Sequence, residues 1–483
     1  MSEYKPCFND VYIEHLLTLI ARHEMLVTAD ILAVSRKVLL PAGQPLNASL
    51  LKQLKGQNLT QPLGANIVIG DGFSGPDLLG RLKRYFENDW VLSELFEKVE
   101  ITDVLETSCL RLGEQPGLAQ YSWVMSNCLP RQFERSLFCA WAAVALEWGK
   151  GKSEEQIYEA FVVGLMHEVG LLFLPATALK ELEELSSADY SQMERHSRIG
   201  YEVLAFLPAV STRISRAVLD HHEEVDGTGF PDRKIAKQLG PLGQLIHLLD
   251  STHAIYVKHF KTRGRTLNDL IPIIQMNKLS RPGMPAADLV LLLRKGTATK
   301  TCSVPEELMP LFLKQVKDRH YYIKRFVEQA EIFVAQNQAY VANARIYSLS
   351  RLLEHITVSM HQSGLINDAY IRWLELVDEQ RLQHAYREAE DVFLMMQEIL
   401  YHIQRFLLRL GELIETEQGA ITELTPIWAP NKSISLIEGG GAVASDRESA
   451  KASLENFSSQ PSPTIPSELH KLWLTQIRTI KEP

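Results

Sequence analysis

Gly164-Leu165-Met166-His167-Glu168-Val169-Gly170 closes an apolar run of helical period on an adjacent imidazole and carboxylate. Ser153-Glu154-Glu155-Gln156 opens that run with the pattern of a capping box, so a helix is expected to begin there and end at the His167-Glu168 pair. Donors of the same kind follow at His196, at His221-His222 and at Asp250, roughly every 27 residues and between segments of helical period. Breakers at Pro130, Gly149-Lys150-Gly151, Pro175, Pro208 and Gly227 to Pro231 place these donors at helix ends and in the turns that follow. Behind the second pair, Glu223-Glu224-Val225-Asp226-Gly227-Thr228-Gly229-Phe230-Pro231 predicts a tight loop whose backbone comes close to whatever the donors hold.

A His followed at once by a carboxylate suits a metal centre, because the imidazole binds one ion while the carboxylate reaches the next. His196, His221 and His222 add nitrogen donors and Asp250 an oxygen. Such a set suits a divalent transition metal, iron or manganese, with zinc as the alternative. Ions so placed polarise a phosphoryl oxygen and activate water near neutral pH.

The chain has 483 residues, 46% hydrophobic and 23% charged, which is ordinary for a globular protein of two or three domains. Its 59 acidic against 50 basic residues exclude a general nucleic-acid surface but leave room for a small anionic ligand at a local cluster. The five cysteines, Cys7, Cys109, Cys128, Cys139 and Cys302, include no CxxC pair and read as reduced thiols. No leader pattern precedes the first helix, and the most apolar windows, Phe138 to Leu146 and Phe161 to Pro175, are short or contain His167-Glu168. The expectation is a cytoplasmic protein without membrane insertion.

Residues 1–100 read as a small α+β domain: a helix over Val11 to His23, a hairpin from Ile31-Leu32-Ala33-Val34 to Val38-Leu39-Leu40, and a helix capped by Asn47. Residues 118–300 form the helical core. Two long periodic stretches, 310–362 and 366–417, predict a helical hairpin over 310–417, and Gly439-Gly440-Gly441 with several prolines marks 430–468 as a flexible tail. Phe326, Phe333, Tyr340 and Tyr347 recur every seven residues, a seam for either intramolecular packing or a homodimer through the C-terminal helices. The basic run Lys258, Lys261, Arg263 and Arg265 reads as a solvent-exposed loop.

Four ordered blocks carry a resemblance: Gly164 to Gly170, His196-Ser197-Arg198-Ile199-Gly200, His221 to Pro231, and Leu249-Asp250-Ser251-Thr252-His253-Ala254. Over roughly residues 120–260, somewhat more than a quarter of the chain, their order and separations resemble the HD-GYP branch of the HD phosphohydrolase superfamily, whose members hydrolyse the second messenger cyclic di-GMP. The resemblance implies a mainly α fold: a helical HD-domain bundle with the small N-terminal α+β domain ahead of it and the C-terminal helical hairpin behind. It also implies metal ligation by His167, Glu168, His196, His221, His222 and Asp250, catalytic roles for Glu168 and Asp250, and a metal-bound hydroxide as nucleophile.

This sequence departs from the family at several of those positions. Where the family has its first histidine, preceded one turn earlier by Glu in three-metal members, Arg135 and Arg131 stand here, with Glu134 as a neighbouring alternative ligand. The family aspartate after the first paired His is Glu168, the following lysine falls at Leu171, the loop tyrosine is Phe230, and the last motif's second aspartate is His253. Arginine cannot ligate and repels a cation, so the first ion site is expected to be weak while the second keeps its donors. Arg131 and Arg135 become candidate phosphate binders, and Gly229, Phe230 and Pro231 candidate contacts to a cyclic dinucleotide. Two function classes follow: a phosphodiesterase of reduced activity, and a signalling module that binds cyclic di-GMP or a protein partner without turnover. An HD hydrolase acting on another phosphorylated substrate is a third.

Overall fold

The computed structural model describes residues 9–70, 72–179, 187–225, 227, 229–278, 285–297, 302–336, 344–363, 367–417 and 463–470. By backbone packing the chain divides into two compact units, Met1–Ala254 with Gly283–Thr297 and Ile255–Pro282 with Ala298–Pro483. The division breaks at Thr297, beside the expected boundary at 300, and has no break near 100 or 118. The N-terminal elements belong to the same unit as the helices that follow them.

In the first unit, α1 (Asn9–Leu19) leads into β1 (Met25–Val27), β2 (Ile31–Leu32), β3 (Val38–Leu40), α2 (Ala48–Leu54) and β4 (Ile67–Ile69). β2 and β3 form the expected antiparallel hairpin, and β1 pairs antiparallel with β4, Leu26 opposite Val68. Asn47 caps α2 by accepting from Leu50 N at 3.0 Å. The ring of Tyr12 stacks on Phe173 at 5.1 Å and lies 5.6 Å from Tyr121. α1 thereby closes the back of the turn that follows Glu168.

The helices that build the site follow. They are α3 (Gly75–Glu87), α4 (Trp90–Val99), α5 (Thr102–Gly113), α6 (Pro116–Cys128), α7 (Pro130–Gly149), α8 (Glu154–Met166), α9 (Ser187–Met193), α10 (His196–Ala205), α11 (Thr212–Asp220) and α12 (Pro241–Ile255). The capping box at Ser153 and Gln156 starts α8 as expected. α7 and α8 form the most intimate helix pair of the unit, and glycine permits the approach: a Cβ at Gly164 would lie 2.6 Å from the backbone of Ala140. A 3-10 turn, Val169–Phe173, continues from α8 and packs against α10, where a Cβ at Gly170 would fall 1.9 Å from His196 O. Glu154–Phe173 is long and apolar enough to cross a membrane by length and composition, yet 94% of its window is buried inside the protein, as in a core helix.

The second unit contains α13 (Ile271–Lys278), α15 (Met309–Gln336), α16 (Ala344–Ser363), α17 (Asp368–Gln380) and α18 (Tyr386–Glu417), while α14 (Ala286–Leu293) belongs to the first. The C-terminal hairpin is thus subdivided into four helices. Within the second stretch the break has a local cause: Arg381 adopts φ 50° at the end of α17 and turns the chain before α18. Phe326 is buried against Phe406, whereas the side chains of Phe333, Tyr340 and Tyr347, and all of the expected tail except 463–468, lie outside the described residues. Arg265 corrects the reading of a solvated basic loop, since it is 2% exposed and pairs with Asp269 and Glu390; Lys258 and Lys261 are exposed.

The glycine approaches predict a sharp contrast. Gly170→Ala forces the 3-10 turn away from α10 and should lower stability by about 1–3 kcal/mol, read as a lower urea midpoint at unchanged slope. Gly149→Ala, where a Cβ meets nothing within 4 Å, should leave the midpoint unchanged or raise it slightly. Equal midpoints for the two variants would contradict this packing.

Candidate metal centre

Four buried segments converge in the first unit. His167 is the C-cap of α8, Glu168 begins the turn after it, His196 starts α10, His221 and His222 follow α11, and Asp250 lies within α12. His167, His196 and His221 are essentially inaccessible, Glu168 and Asp250 are each 3% exposed, and His222 is half-buried.

One ligand atom each from Glu168, His196, His221 and His222 lies within 4.8 Å of the other three. Backbone carbonyls set the rings. His196 Nδ1 lies 2.6 Å from Met193 O and His221 Nδ1 2.6 Å from Val218 O, so each donates its Nδ1–H to the carbonyl and turns a bare Nε2 inward. The two Nε2 atoms face each other at 3.2 Å, lone pair toward lone pair. Glu168 Oε2 is 3.3 Å from His196 Nε2 and receives no hydrogen bond among the described residues. A cation held by these residues would remove the repulsion and satisfy the oxygen, so the donor set fits a divalent metal. Burial, reinforced by the neighbouring imidazoles, holds His221 and His222 well below the ordinary imidazole value, and burial lowers His196 as well. All three rings are therefore neutral, the form that ligates.

The other half is built differently. Arg135, in the second turn of α7, donates from Nη2 to Asp250 Oδ2 at 2.6 Å, contacts Oδ1 through Nε, and places Nη1 3.3 Å from Glu168 Oε1. Burial works against the charge on Asp250, but Arg135 and then His167 outweigh it and hold the carboxyl well below its usual range. Asp250 and Glu168 in turn keep Arg135 more firmly protonated than a free arginine, despite desolvation. His167 donates Nδ1–H to Gly164 O at 2.8 Å and faces Asp250 with Nε2 at 3.4 Å. Cys139, one turn beyond Arg135 on α7, completes a second group with His167 and Asp250, again within 4.8 Å.

The remaining candidates separate clearly. Arg131 and Glu134 are exposed on the first turns of α7, and neither belongs to the two donor groups found among the described residues. Leu171 is buried apolar core. His253 lies against Tyr85 Oη at 2.7 Å and against the Phe138 ring at 4.9 Å. Phe230 stacks on His222 at 4.6 Å, and Gly229 is required there because a Cβ would sit 2.3 Å from Glu224 N and 2.4 Å from His222 O. Asp226 and Thr228 lie outside the described residues.

Two features escaped the sequence reading. Glu223, next to the His pair, accepts from Asp232 N at 2.6 Å and Lys234 N at 2.8 Å and so ties the far end of the loop back to α11. The signal was its position as the third member of the His221-His222-Glu223 run. The cysteine spacing marks Cys139 only as a reduced thiol, although its place four residues after Arg135 puts both on one helix face.

Residues 129–282 match the model of the HD domain family. Of the curated proteins similar to the chain, a cyclic di-GMP phosphodiesterase of Pseudomonas aeruginosa is 29% identical over 99 residues, 20% of this chain and 24% of that protein. The cyclic di-GMP phosphodiesterase response regulator RpfG of Xanthomonas campestris is 27% identical over 106 residues, 22% and 28% of the two chains. The cyclic di-GMP phosphodiesterase PdeB of Borreliella burgdorferi is 25% identical over 135 residues, 28% and 35%. The similarity therefore spans about a quarter to a third of those relatives' own lengths. Of solved structures, an HDG"Y"P protein from Bdellovibrio bacteriovorus is 14% identical with a TM-score of 0.32, over 56% of this chain and 95% of that one. The four donor blocks fall inside the matched segment, and the chain carries an HD domain with distant similarity to HD-GYP cyclic di-GMP phosphodiesterases.

Proposed function

We propose that this HD domain binds one divalent transition-metal ion, iron or manganese with zinc as the alternative, at Glu168, His196, His221 and His222, and holds a cyclic dinucleotide such as cyclic di-GMP against it as a signalling module. The observation that carries this reading is Arg135, whose guanidinium spans Asp250 and Glu168 where a second ion would share those carboxylates. A bound ion supplies a Lewis acid for a phosphoryl oxygen and activates water.

The rest is done by side chains. Arg135 supplies positive charge and a fork of donors suited to phosphate, but it cannot ligate or accept a proton. Replacing an ion by a guanidinium gives up several kcal/mol of transition-state stabilisation; a loss of about 4 kcal/mol slows a reaction roughly a thousandfold. Phe230 and Pro231, half-buried beside His222, offer an apolar face to a base or sugar, and Glu223 holds the loop in place. Arg131, exposed one turn from Arg135, is the candidate contact to a second phosphate. We assign the protein to the cytoplasm on the unpaired state of Cys109, Cys128, Cys139 and Cys302.

A second reading, slow hydrolysis at a single ion, is favoured by the intact four-donor set, with Glu168 and Asp250 orienting the attacking water. The two readings separate on anaerobically purified protein supplied with iron or manganese and cyclic di-GMP. Binding by calorimetry without linear product on chromatography is expected, and the double variant Arg135→His with Glu168→Asp should produce at least about tenfold more product. Turnover by the wild type that vanishes in His221→Ala would overturn the binding-module reading in favour of hydrolysis.

Protonation gives an independent check. Imidazoles held neutral in the fold take up protons on unfolding below about pH 6.5, so the apo protein should lose stability as pH falls through that value. Metal affinity should fall over the same window, because each ligating ring competes with a proton. A manganese titration giving the same affinity at pH 5 and pH 8 would contradict imidazole ligation.

A further inference from the structure

We propose that Cys139, His167 and Asp250 form a second, sulfur-containing half-site that takes a thiophilic divalent ion, zinc or cobalt, when the Arg135 guanidinium leaves Asp250. The proposal rests on the reading of this cluster as a metal centre, and not on cyclic di-GMP as its ligand. The three ligand atoms lie within 4.8 Å of one another, and all three residues are buried. His167 is oriented for ligation, since Nδ1–H is committed to Gly164 O and Nε2, which hydrogen-bonds Asp250, is the atom left to take an ion. Cys139 lies in the apolar run Phe138 to Leu146 of α7, where a plain packing role would need only an apolar neighbourhood. Here its neighbours are an imidazole, a carboxylate and a guanidinium.

Charge balance makes the exchange feasible. With Arg135 in place, the guanidinium and the Asp250 carboxylate cancel and the thiol is neutral. With an ion in place, its two charges cancel the carboxylate and a thiolate. The protons on Cys139 Sγ and on His167 Nε2 pass to solvent, metal–sulfur and metal–nitrogen bonds form, and Asp250 trades its hydrogen bonds from Arg135 and His167 for a metal–oxygen bond; no electron is transferred. The arginine has somewhere to go, because its side chain is 29% exposed on a long stem, whereas Cys139 has no exposure and stays. Sulfur in the donor set favours zinc or cobalt over manganese or magnesium, which makes this half-site chemically distinct from the nitrogen-rich one beside it.

The test is a cobalt titration of the full chain, with bound metal counted by elemental analysis and sulfur ligation read from the near-ultraviolet thiolate-to-cobalt charge-transfer band. Wild type should bind one cobalt without the band. Arg135→Ala and Arg135→Gln should bind two with it, and adding Cys139→Ser should abolish the band while the first ion remains. Arg135→Gln keeps a hydrogen-bond donor for Asp250 should the alanine variant fold poorly, and circular dichroism checks the fold of each. Folded arginine variants that bind a single ion, or two without the band, would overturn the sulfur site. Wild type binding no cobalt would instead contradict the four-donor centre, while the band in the arginine variants still reports Cys139 by itself.

Discussion

Arg135 lies between two buried carboxylates, and the character of the centre follows from that placement. Glu168 and Asp250 are each 3% exposed, and carboxylates so deep need a positive partner. One guanidinium leaves one negative charge over, a single ion at the histidines converts this to one positive charge, and His196, His221 and His222, held neutral by burial, add nothing. A phosphodiester carries one negative charge. The centre is thus electrostatically matched to one ion and one phosphodiester, and a second ion beside Arg135 would leave a large uncompensated excess.

The geometry is imposed from the backbone inward. Gly164 lets α8 approach α7, and its carbonyl fixes His167; Gly170 lets the 3-10 turn meet α10 at His196; Gly229 lets the loop fold onto His222. Each histidine that opens or closes a helix hands its Nδ1–H to a carbonyl three residues back, which turns Nε2 toward the centre without a dedicated carboxylate partner. The site therefore depends on close backbone approach more than on side-chain networks. Its rigidity comes from helix packing and the Tyr12–Phe173 stack behind it.

Much of this was legible in the sequence because ligand chemistry and helix ends are local signals. The capping box at Ser153, the Asn47 cap, the Ile31 to Leu40 hairpin and the convergence of His167, Glu168, His196, His221, His222 and Asp250 all follow from residue type and spacing. What Arg135 does in place of a ligand was readable as a tendency, but its fork across Asp250 and Glu168 depends on how α7 and α12 pack, which no local pattern encodes. Cys139 carries no local signal of ligation, because it belongs to no CxxC pair and its imidazole and carboxylate neighbours come from the end of α8 and from α12. The basic run misled for a similar reason: Arg265 looks solvated beside Lys258 and Lys261, yet Asp269 and Glu390 bury it. The C-terminal helices misled through continuity, since helical period passes smoothly across the left-handed turn at Arg381.

The most direct test of the central claim is a crystal of the manganese-loaded protein, with anomalous scattering recorded to locate the metal. The account expects one peak among Glu168, His196, His221 and His222, with the Arg135 guanidinium still on Asp250. Two peaks, one of them between His167 and Asp250 with Arg135 displaced in the absence of any nucleotide, would contradict it.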